Sequence, residues 1–183
     1  MFSVFVRLYP VVFLGFALAA LQGTQAGGCG CPPLWTAFQG HCYRYFSVEN
    51  TTWYEAELHC RSFAVPCNER DGAPQLGHLV SIHSQEETDF IVSLYETLRN
   101  KRVSTKTRVW IGLHDKVTED TFTWSDGSPL DYRNFASGQP NSYQGEQDCI
   151  SFCVDWEHTW NDLACEPNLE FTVEAFICKL PVW

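Results

Sequence analysis

Oxygen-bearing side chains are concentrated between residues 139 and 162. They mix carboxylates with neutral amides, in the order Gln139, Asn141, Glu146, Gln147, Asp148, Asn161 and Asp162. A hard divalent cation such as calcium prefers these ligands, whereas zinc sites are built mainly from histidine and thiolate. Pro140, between two amide residues, predicts a stiff turn in which a cis peptide bond is one option. This stretch therefore predicts a calcium site held by two neighbouring loops.

Two helices are predicted before this stretch. The first covers about residues 53–63, where apolar residues recur at helical spacing behind a capping box of Thr52 and Glu55. The second begins after Ser84, which forms a further capping box with Glu87 in the first turn. It carries an apolar stripe that continues towards Leu98. Residues 67–77 between the helices are interpreted as a polar inserted loop.

Short apolar runs and period-two patterns predict strands in the second half of the chain. They cover residues 109–113, 121–124, 149–154 and part of 170–180, while residues 35–46 predict a hairpin and 79–82 an extended run. Residues 100–108 are basic and are interpreted as a solvated connection. Residues 125–148 are rich in Gly, Pro, Ser and Asn, and so long a loop in a compact domain is usually functional.

The length, the net charge and the N-terminal segment of the chain narrow the class of protein to which it can belong. A chain of 183 residues with a net charge of −10 indicates one domain and disfavours nucleic-acid binding. Residues 1–26 are typical of a secretory signal peptide, with Arg7 before an apolar run and small residues at a cleavage site. A membrane anchor is the alternative, but the run is short for a bilayer span. Residues 27–183 would form the mature, extracellular domain after a short lead.

Nine cysteines on a secreted chain predict a disulfide framework, although spacing alone leaves the pairing open. Asn50-Thr51-Thr52 is an N-glycosylation sequon, so Asn50 is a candidate for glycan attachment. The chain carries neither a Gly-x-Ser-x-Gly nor a His-Glu-x-x-His motif, and the amide-rich cluster suits coordination better than acid–base chemistry. A binding protein is therefore expected rather than an enzyme.

These features together resemble the calcium-dependent C-type lectin family. The matching elements are Gln139-Pro140-Asn141, Trp160-Asn161-Asp162, Trp110-Ile111-Gly112-Leu113 and the cysteine pairs 149/165, 60/178 and 31/42. The resemblance extends from about Cys31 to the C-terminus. It implies an α+β, C-type lectin-like fold with two helices, small antiparallel sheets and a long calcium-binding loop region, stapled by disulfides.

The resemblance also implies three disulfide bonds. These are Cys31–Cys42, Cys60–Cys178 and Cys149–Cys165. We expect Cys67 to pair with Cys153. Cys29, in a glycine-rich lead, would then be free to link two chains into a disulfide-bonded homo-oligomer.

For the metal, the resemblance implies ligands from Gln139, Asn141, Asn161 and Asp162. A further acidic ligand normally precedes Cys149; counting back gives Gln147, but Glu146 is preferred here because a carboxylate binds calcium better than an amide does. Asp148 is a candidate ligand of a second calcium, whose remaining ligands would lie within residues 115–126.

Open positions on such a calcium would bind two sugar hydroxyls, with the surrounding ligands completing the hydrogen bonds. In the family, Glu-Pro-Asn accompanies mannose-type and Gln-Pro-Asp galactose-type sugars, so Gln-Pro-Asn does not decide between them. Tyr143, placed to stack on a galactose face, slightly favours galactose. Trp156 and His158 are placed to contact a second sugar unit. The predicted sugar contacts are Gln139, Asn141, Tyr143, Glu146, Trp156 and Asn161.

The function expected from this resemblance is calcium-dependent glycan binding by a secreted lectin, with avidity through Cys29 allowing agglutination and a role in innate recognition. The alternative is a protein of an extracellular or biomineral matrix that uses the same fold to bind protein or mineral. Mineral binding usually requires repeated acidic tracts, and the sequence contains none.

Overall fold

Ten strands and two helices form the part of the chain that the computed structural model describes, residues 30–70, 73–99, 107–145, 147–166 and 173–181. The helices are α1 (Trp53–Arg61) and α2 (Gln85–Leu98). The strands are β1 (Thr36–Phe38), β2 (His41–Ser47), β3 (Ala64–Arg70), β4 (Ala73–Leu76), β5 (His78–Leu79), β6 (Arg108–His114), β7 (Thr123–Trp124), β8 (Cys149–Cys153), β9 (Thr159–Leu163) and β10 (Val173–Pro181). None of the helices in the described ranges has the length and apolar character needed to cross a bilayer.

Eight of these strands form one sheet around β10. The order is β1-β2-β10-β6-β8-β9, with β5 on β10 and β7 on β6, while β3 and β4 form a separate hairpin. The α+β fold class with two helices is confirmed. The sheet itself differs from the expected set of small antiparallel sheets, because β10 lies beside β6 in a parallel pairing and joins both halves of the chain.

The two helices begin where the capping residues predict. Thr52 and Glu55 form both halves of the first box. In the second, Ser84 accepts a hydrogen bond from the Glu87 backbone, but the Glu87 carboxylate turns inward and accepts from Lys179 Nζ at 2.7 Å. Because a buried ammonium needs a counter-charge, this ion pair decides where Glu87 points.

Each helix covers its own part of the core. On α1 the buried residues are Trp53, Ala56 and Cys60, and on α2 they include Ile91, Leu94 and Tyr95. Strand β6 passes close to β5, since a Cβ on Gly112 would lie 2.6 Å from the Leu79 carbonyl oxygen. A glycine is therefore required at this crossing.

Three features of the backbone differ from the sequence-based predictions. The region predicted as a loop at 67–77 includes the end of β3 and all of β4, a strand pair that its polar, proline-containing sequence does not signal. Strand β9 was not predicted, because Trp160-Asn161-Asp162 lacks an alternating apolar pattern. Arg108 does not belong to a solvated connection: it begins β6 and is only 4% exposed.

Among the described residues, three disulfide bonds are present, Cys31–Cys42, Cys60–Cys178 and Cys149–Cys165, in the pairing that the family resemblance implied. The expected Cys67–Cys153 bond is wrong, because Cys153 is a free, fully buried thiol within β8. The side chain of Cys67 lies outside the described residues, as do Cys29 and the predicted signal peptide at residues 1–26.

Candidate functional site

The predicted site residues meet in a shallow depression of about 210 Å³ between the loop after Pro140, the turn at 154–158 and strand β9. Its lining consists of Gln139, Asn141, Tyr143, Gln147, Trp156 and Asn161. Glu146 lies outside the described residues, so the structure gives a position only to the alternative ligand Gln147. Five of the six predicted sugar contacts are therefore brought together from segments about twenty residues apart along the chain.

Asp162 connects the two halves of this site. It is 1% exposed, and its Oδ2 accepts hydrogen bonds from the backbone N–H groups of Asn141 at 3.0 Å and Ser142 at 2.6 Å. Its other oxygen, Oδ1, is buried and has no hydrogen-bond partner among the described residues. One oxygen of this carboxylate thus fixes the loop and the other keeps its full capacity to bind a cation.

Gln139 carries a second buried acceptor of this kind. Its Oε1 makes no hydrogen bond within the described part of the chain, although its backbone N–H is held by the Ala136 carbonyl at 3.0 Å. The peptide bond between Gln139 and Pro140 is cis. Buried acceptors are rarely left without a partner, so Gln139 and Asp162 fit a site that a bound cation would satisfy.

The remaining amides are held in place by the backbone. Asn141 Oδ1 and Gln147 Oε1 accept from the Tyr143 N–H at 3.1 and 2.9 Å, at the start of a 3-10 helix. Each amide oxygen retains a lone pair for a metal ion. Asn161, which also lines the depression, is held by a hydrogen bond from its Nδ2 to the Asp162 carbonyl at 2.9 Å.

A second group of oxygens lies on the other side of the same loop. Carboxylate oxygens of Asp115, Glu119 and Asp120 lie within 4.8 Å of one another. Asp115 is 5% exposed with Oδ1 unpartnered among the described residues, and burial, followed by the charges of Glu119 and Asp148, raises the pKa of its carboxyl. Three carboxylates in one place, with no ion pair to any described residue, fit a divalent cation.

This acidic group contacts the first site directly. Ser142 Oγ donates to Glu119 Oε1 at 2.7 Å, and the Asp115 N–H donates to the Asp148 carbonyl at 3.1 Å. These carboxylates lie within residues 115–126, the region predicted from sequence to supply the remaining ligands of a second calcium beside Asp148. The available signal was the spacing of Asp115 and Glu119, four residues apart and directly after the predicted strand.

Aromatic rings form one side of the depression. Tyr143 is 58% and Trp156 39% exposed, so both offer ring surface to a ligand. The Trp156 ring is held from behind by the guanidinium of Arg108, whose carbon lies 4.9 Å from the ring centroid and which forms an ion pair with Asp155. Sequence reasoning missed Arg108, because nothing in a basic loop distinguishes a buried arginine from solvated ones.

Comparison with known proteins agrees with the fold. Residues 49–180 match the family described as the Lectin C-type domain. The chain is 39% identical over 156 residues to echinoidin from Heliocidaris crassispina, covering 85% of this chain and 99% of that protein. It is 37% identical over 174 residues to the alpha-N-acetylgalactosamine-specific lectin of Patiria pectinifera, covering 93% and 92%.

Among solved structures, the C-type lectin CEL-I from Cucumaria echinata superimposes with a TM-score of 0.69 at 30% identity, over 84% of this chain and 97% of that one. The relatives are named as lectins, which confirms that the chain is a binding protein and not an enzyme. By sequence and by fold, the chain belongs to the C-type lectin domain family of carbohydrate-binding proteins.

Proposed function

We propose that the chain is a secreted lectin that binds a terminal sugar through a calcium ion held by Gln139, Asn141, Gln147, Asn161 and Asp162. Gln147 replaces Glu146 in this set because its side chain lines the depression. Asp162 is then the only carboxylate ligand named. So few charged ligands favour weak calcium binding, suited to extracellular concentrations, with a Kd of about 10⁻⁴–10⁻³ M.

The observation that supports this proposal best is the pair of buried oxygens without a hydrogen-bond partner, Asp162 Oδ1 and Gln139 Oε1. Burying an acceptor without a partner costs roughly 1–3 kcal/mol. A calcium ion between the loop and β9 would recover that free energy. The ion supplies Lewis-acid coordination for two vicinal hydroxyls, and the surrounding amides donate to and accept from the same hydroxyls.

We favour a galactose-type sugar. The exposed ring of Tyr143 suits the flat apolar face of galactose. A relative with 37% identity is named for α-N-acetylgalactosamine, which shares the galactose configuration. Because relatives are named as lectins, they favour carbohydrate binding over the alternative of a matrix protein.

A second calcium is proposed beside the first, with the clustered carboxylates of Asp115, Glu119 and Asp120 as its ligands and Asp148 as a further candidate. The unpartnered, buried Oδ1 of Asp115 supports it. The hydrogen bond from Ser142 to Glu119 would let this ion stabilise the loop that carries the sugar site.

Secretion, glycosylation and assembly belong to the same proposal. Residues 1–26 would be removed as a signal peptide, leaving residues 27–183. Asn50 is exposed, as an attached glycan requires. Cys29 would link two chains, and the resulting bivalency would permit agglutination and innate recognition of glycan-bearing surfaces. Electrophoresis with and without reductant tests this link, which an unchanged monomer band would contradict.

A glycan array probed in calcium and again in EDTA tests the sugar-binding proposal. We expect binding to galactose-terminated glycans in calcium and its loss in EDTA. Elution from an affinity column by galactose, and not by mannose, would support the sugar class. Equal binding in EDTA would contradict the role of calcium, and preferential elution by mannose would contradict the galactose assignment alone.

A further inference from the structure

A polar groove of about 500 Å³ lies next to the sugar-binding depression. Its helix side is formed by Asp89 and Ser93 of α2, and its opposite side by Asn134, His158 and Thr159. Val92 adds an apolar patch to the lining. The groove therefore combines several hydrogen-bonding groups with a small apolar surface, a combination that suits a sugar ring.

Three chain segments contribute residues to both the depression and the groove, so at least one pair of residues can be drawn from each segment. The pairs are Gln139 with Asn134, Trp156 with His158, and Asn161 with Thr159. Two of these segments are tied together by backbone hydrogen bonds, from Trp160 to Asn134 at 2.8 Å and from Ala136 to Trp160 at 2.9 Å. Two of these pairs are residues two positions apart, whose Cα atoms lie within about 7 Å of each other, so the linings of the two hollows are close in space at the turn and on β9.

The polar groups of the groove are fixed by internal hydrogen bonds that leave capacity for a ligand. Asn134 donates from Nδ2 to the His158 carbonyl at 3.1 Å and keeps Oδ1 as an acceptor. Asp89 Oδ1 accepts from Gln85 at 2.9 Å, and its Oδ2 makes no hydrogen bond to any described residue. The ring of His158 stacks on Phe152, with centroids 5.4 Å apart, while its nitrogens bond to none of the described residues.

The turn between the two hollows has an uncommon backbone. Glu157 and His158 have φ angles of 51° and 63°, in the left-handed region that residues other than glycine seldom occupy. Thr159 Oγ1 holds this turn by donating to the Trp156 carbonyl at 2.6 Å. Two successive residues in this conformation cost free energy, and such strain tends to be maintained at ligand-binding sites.

We infer that the groove is an extended glycan subsite that binds the sugar units following the one at the calcium. This inference rests on the proposed function, because the calcium-bound sugar would anchor the chain that enters the groove. The carboxylates of Asp89 and Glu157 line it, so its ligand is a neutral oligosaccharide rather than a sialylated or sulfated one.

The test compares a monosaccharide with a longer chain that ends in the same sugar. The probes are methyl β-galactoside with lacto-N-neotetraose, and methyl α-mannoside with a linear mannotetraose. Titration calorimetry in the presence of calcium measures the Kd of the monosaccharide and of the tetrasaccharide, with the pair of probes whose monosaccharide the wild-type protein binds. We expect the tetrasaccharide to bind about tenfold more tightly than the monosaccharide, from two or three additional hydrogen bonds.

Two variants remove the groove without touching the depression. Asp89→Leu deletes its carboxylate and Ser93→Trp fills its space; both positions are exposed on α2, so the helix tolerates them. The matched controls are Glu86→Leu and Thr97→Trp, exposed positions of the same helix that do not line the groove. Each groove variant should bind the monosaccharide with a Kd within twofold of wild type. The same variants should reduce the advantage of the tetrasaccharide, measured as the ratio of the two Kd values, to less than threefold. Both control variants should keep the wild-type ratio.

The outcomes separate this inference from the proposed function. A wild-type protein that binds neither monosaccharide in calcium contradicts the proposed function, and the groove then has no anchored chain to receive. A wild-type protein that binds a monosaccharide but shows no advantage for the tetrasaccharide contradicts the subsite alone. An advantage that survives both groove variants contradicts it as well.

Discussion

Asp162 is hydrogen-bonded to Asn141 across 21 positions of sequence, with Oδ2 accepting the backbone N–H at 3.0 Å. This bond joins strand β9 to the loop after Pro140. The carboxylate is almost completely buried, and its second oxygen is unpartnered among the described residues. A single side chain thus shapes the loop and, in the proposed site, supplies the charged ligand, so we expect Asp162 to be the most sensitive position of the candidate site.

Replacing Asp162→Asn should lower calcium affinity by roughly tenfold or more, because the change removes the charge while keeping the shape. Calorimetric titration of calcium measures this effect. Asp131→Asn is a matched control, since that carboxylate is exposed and pairs with His83. Wild-type calcium affinity in Asp162→Asn would exclude this carboxylate as a ligand.

Two substitutions in the Gln139-Pro140-Asn141 triplet should move sugar selectivity in opposite directions. Gln139→Glu creates the mannose-type triplet and adds a carboxylate, so calcium affinity should also rise. Asn141→Asp creates the galactose-type triplet. Inhibition of glycan binding by methyl mannoside and by methyl galactoside gives two inhibitory concentrations, and their ratio measures the sugar selectivity of each variant. If the ratio is the same in both variants, the triplet does not contact the sugar.

Much of the frame that carries the site is predictable from the sequence. The capping residues Thr52 and Ser84 mark where both helices begin, and the family resemblance gives three disulfide pairs. Apolar runs mark β6 and β8 because both strands are buried along their length. These signals depend on local sequence or on residue type, so they can be recognised without knowledge of the tertiary structure.

The parts that could not be predicted depend on contacts between distant segments. Strand β9 carries site residues such as Asn161 and lacks an apolar pattern, since its side chains serve the site as well as the core. Arg108 is buried because Asp155 and Trp156 enclose it, a partnership that no local pattern reveals. The free thiol of Cys153 was not predictable, because spacing alone does not determine which cysteines pair.

Partly buried Glu57 should make the free energy of unfolding depend on pH. Its carboxylate accepts from His78 Nδ1 at 2.7 Å and from the Leu79 N–H at 2.9 Å. Burial acts to raise the pKa of Glu57, but hydrogen bonds, led by that from His78, outweigh it and leave this pKa below its usual value. A depressed pKa adds stability above the unfolded-state value of about 4.3, and that stability is lost as pH falls through the folded-state pKa.

Glu57→Gln should therefore cost about 1–3 kcal/mol in the free energy of unfolding at neutral pH and clearly less in acid. Urea unfolding of wild type and variant at pH values of about 7 and 3 measures both differences. Glu86→Gln, at an exposed position of α2, serves as the control. A difference that does not change between the two pH values would contradict this account of Glu57.

The thiol of Cys153 should be unreactive in the native protein. It is fully buried, and burial raises the pKa of this thiol to about 11. Because the thiolate is the reactive form, iodoacetamide near pH 8 should modify Cys153 only after unfolding in guanidinium without reductant. Peptide mass spectrometry locates the label. Modification in the native state, or a recovered Cys67–Cys153 peptide, would contradict the structure of this region.

Calcium binding by Asp162 and its neighbours is the central claim, and calorimetric titration of calcium into metal-free protein, followed by titration of sugar, tests it most directly. We predict calcium binding with a Kd of about 10⁻⁴–10⁻³ M, and sugar binding that appears only after calcium has been added. A titration that detects no calcium binding, together with sugar binding that is unchanged in EDTA, would contradict the claim.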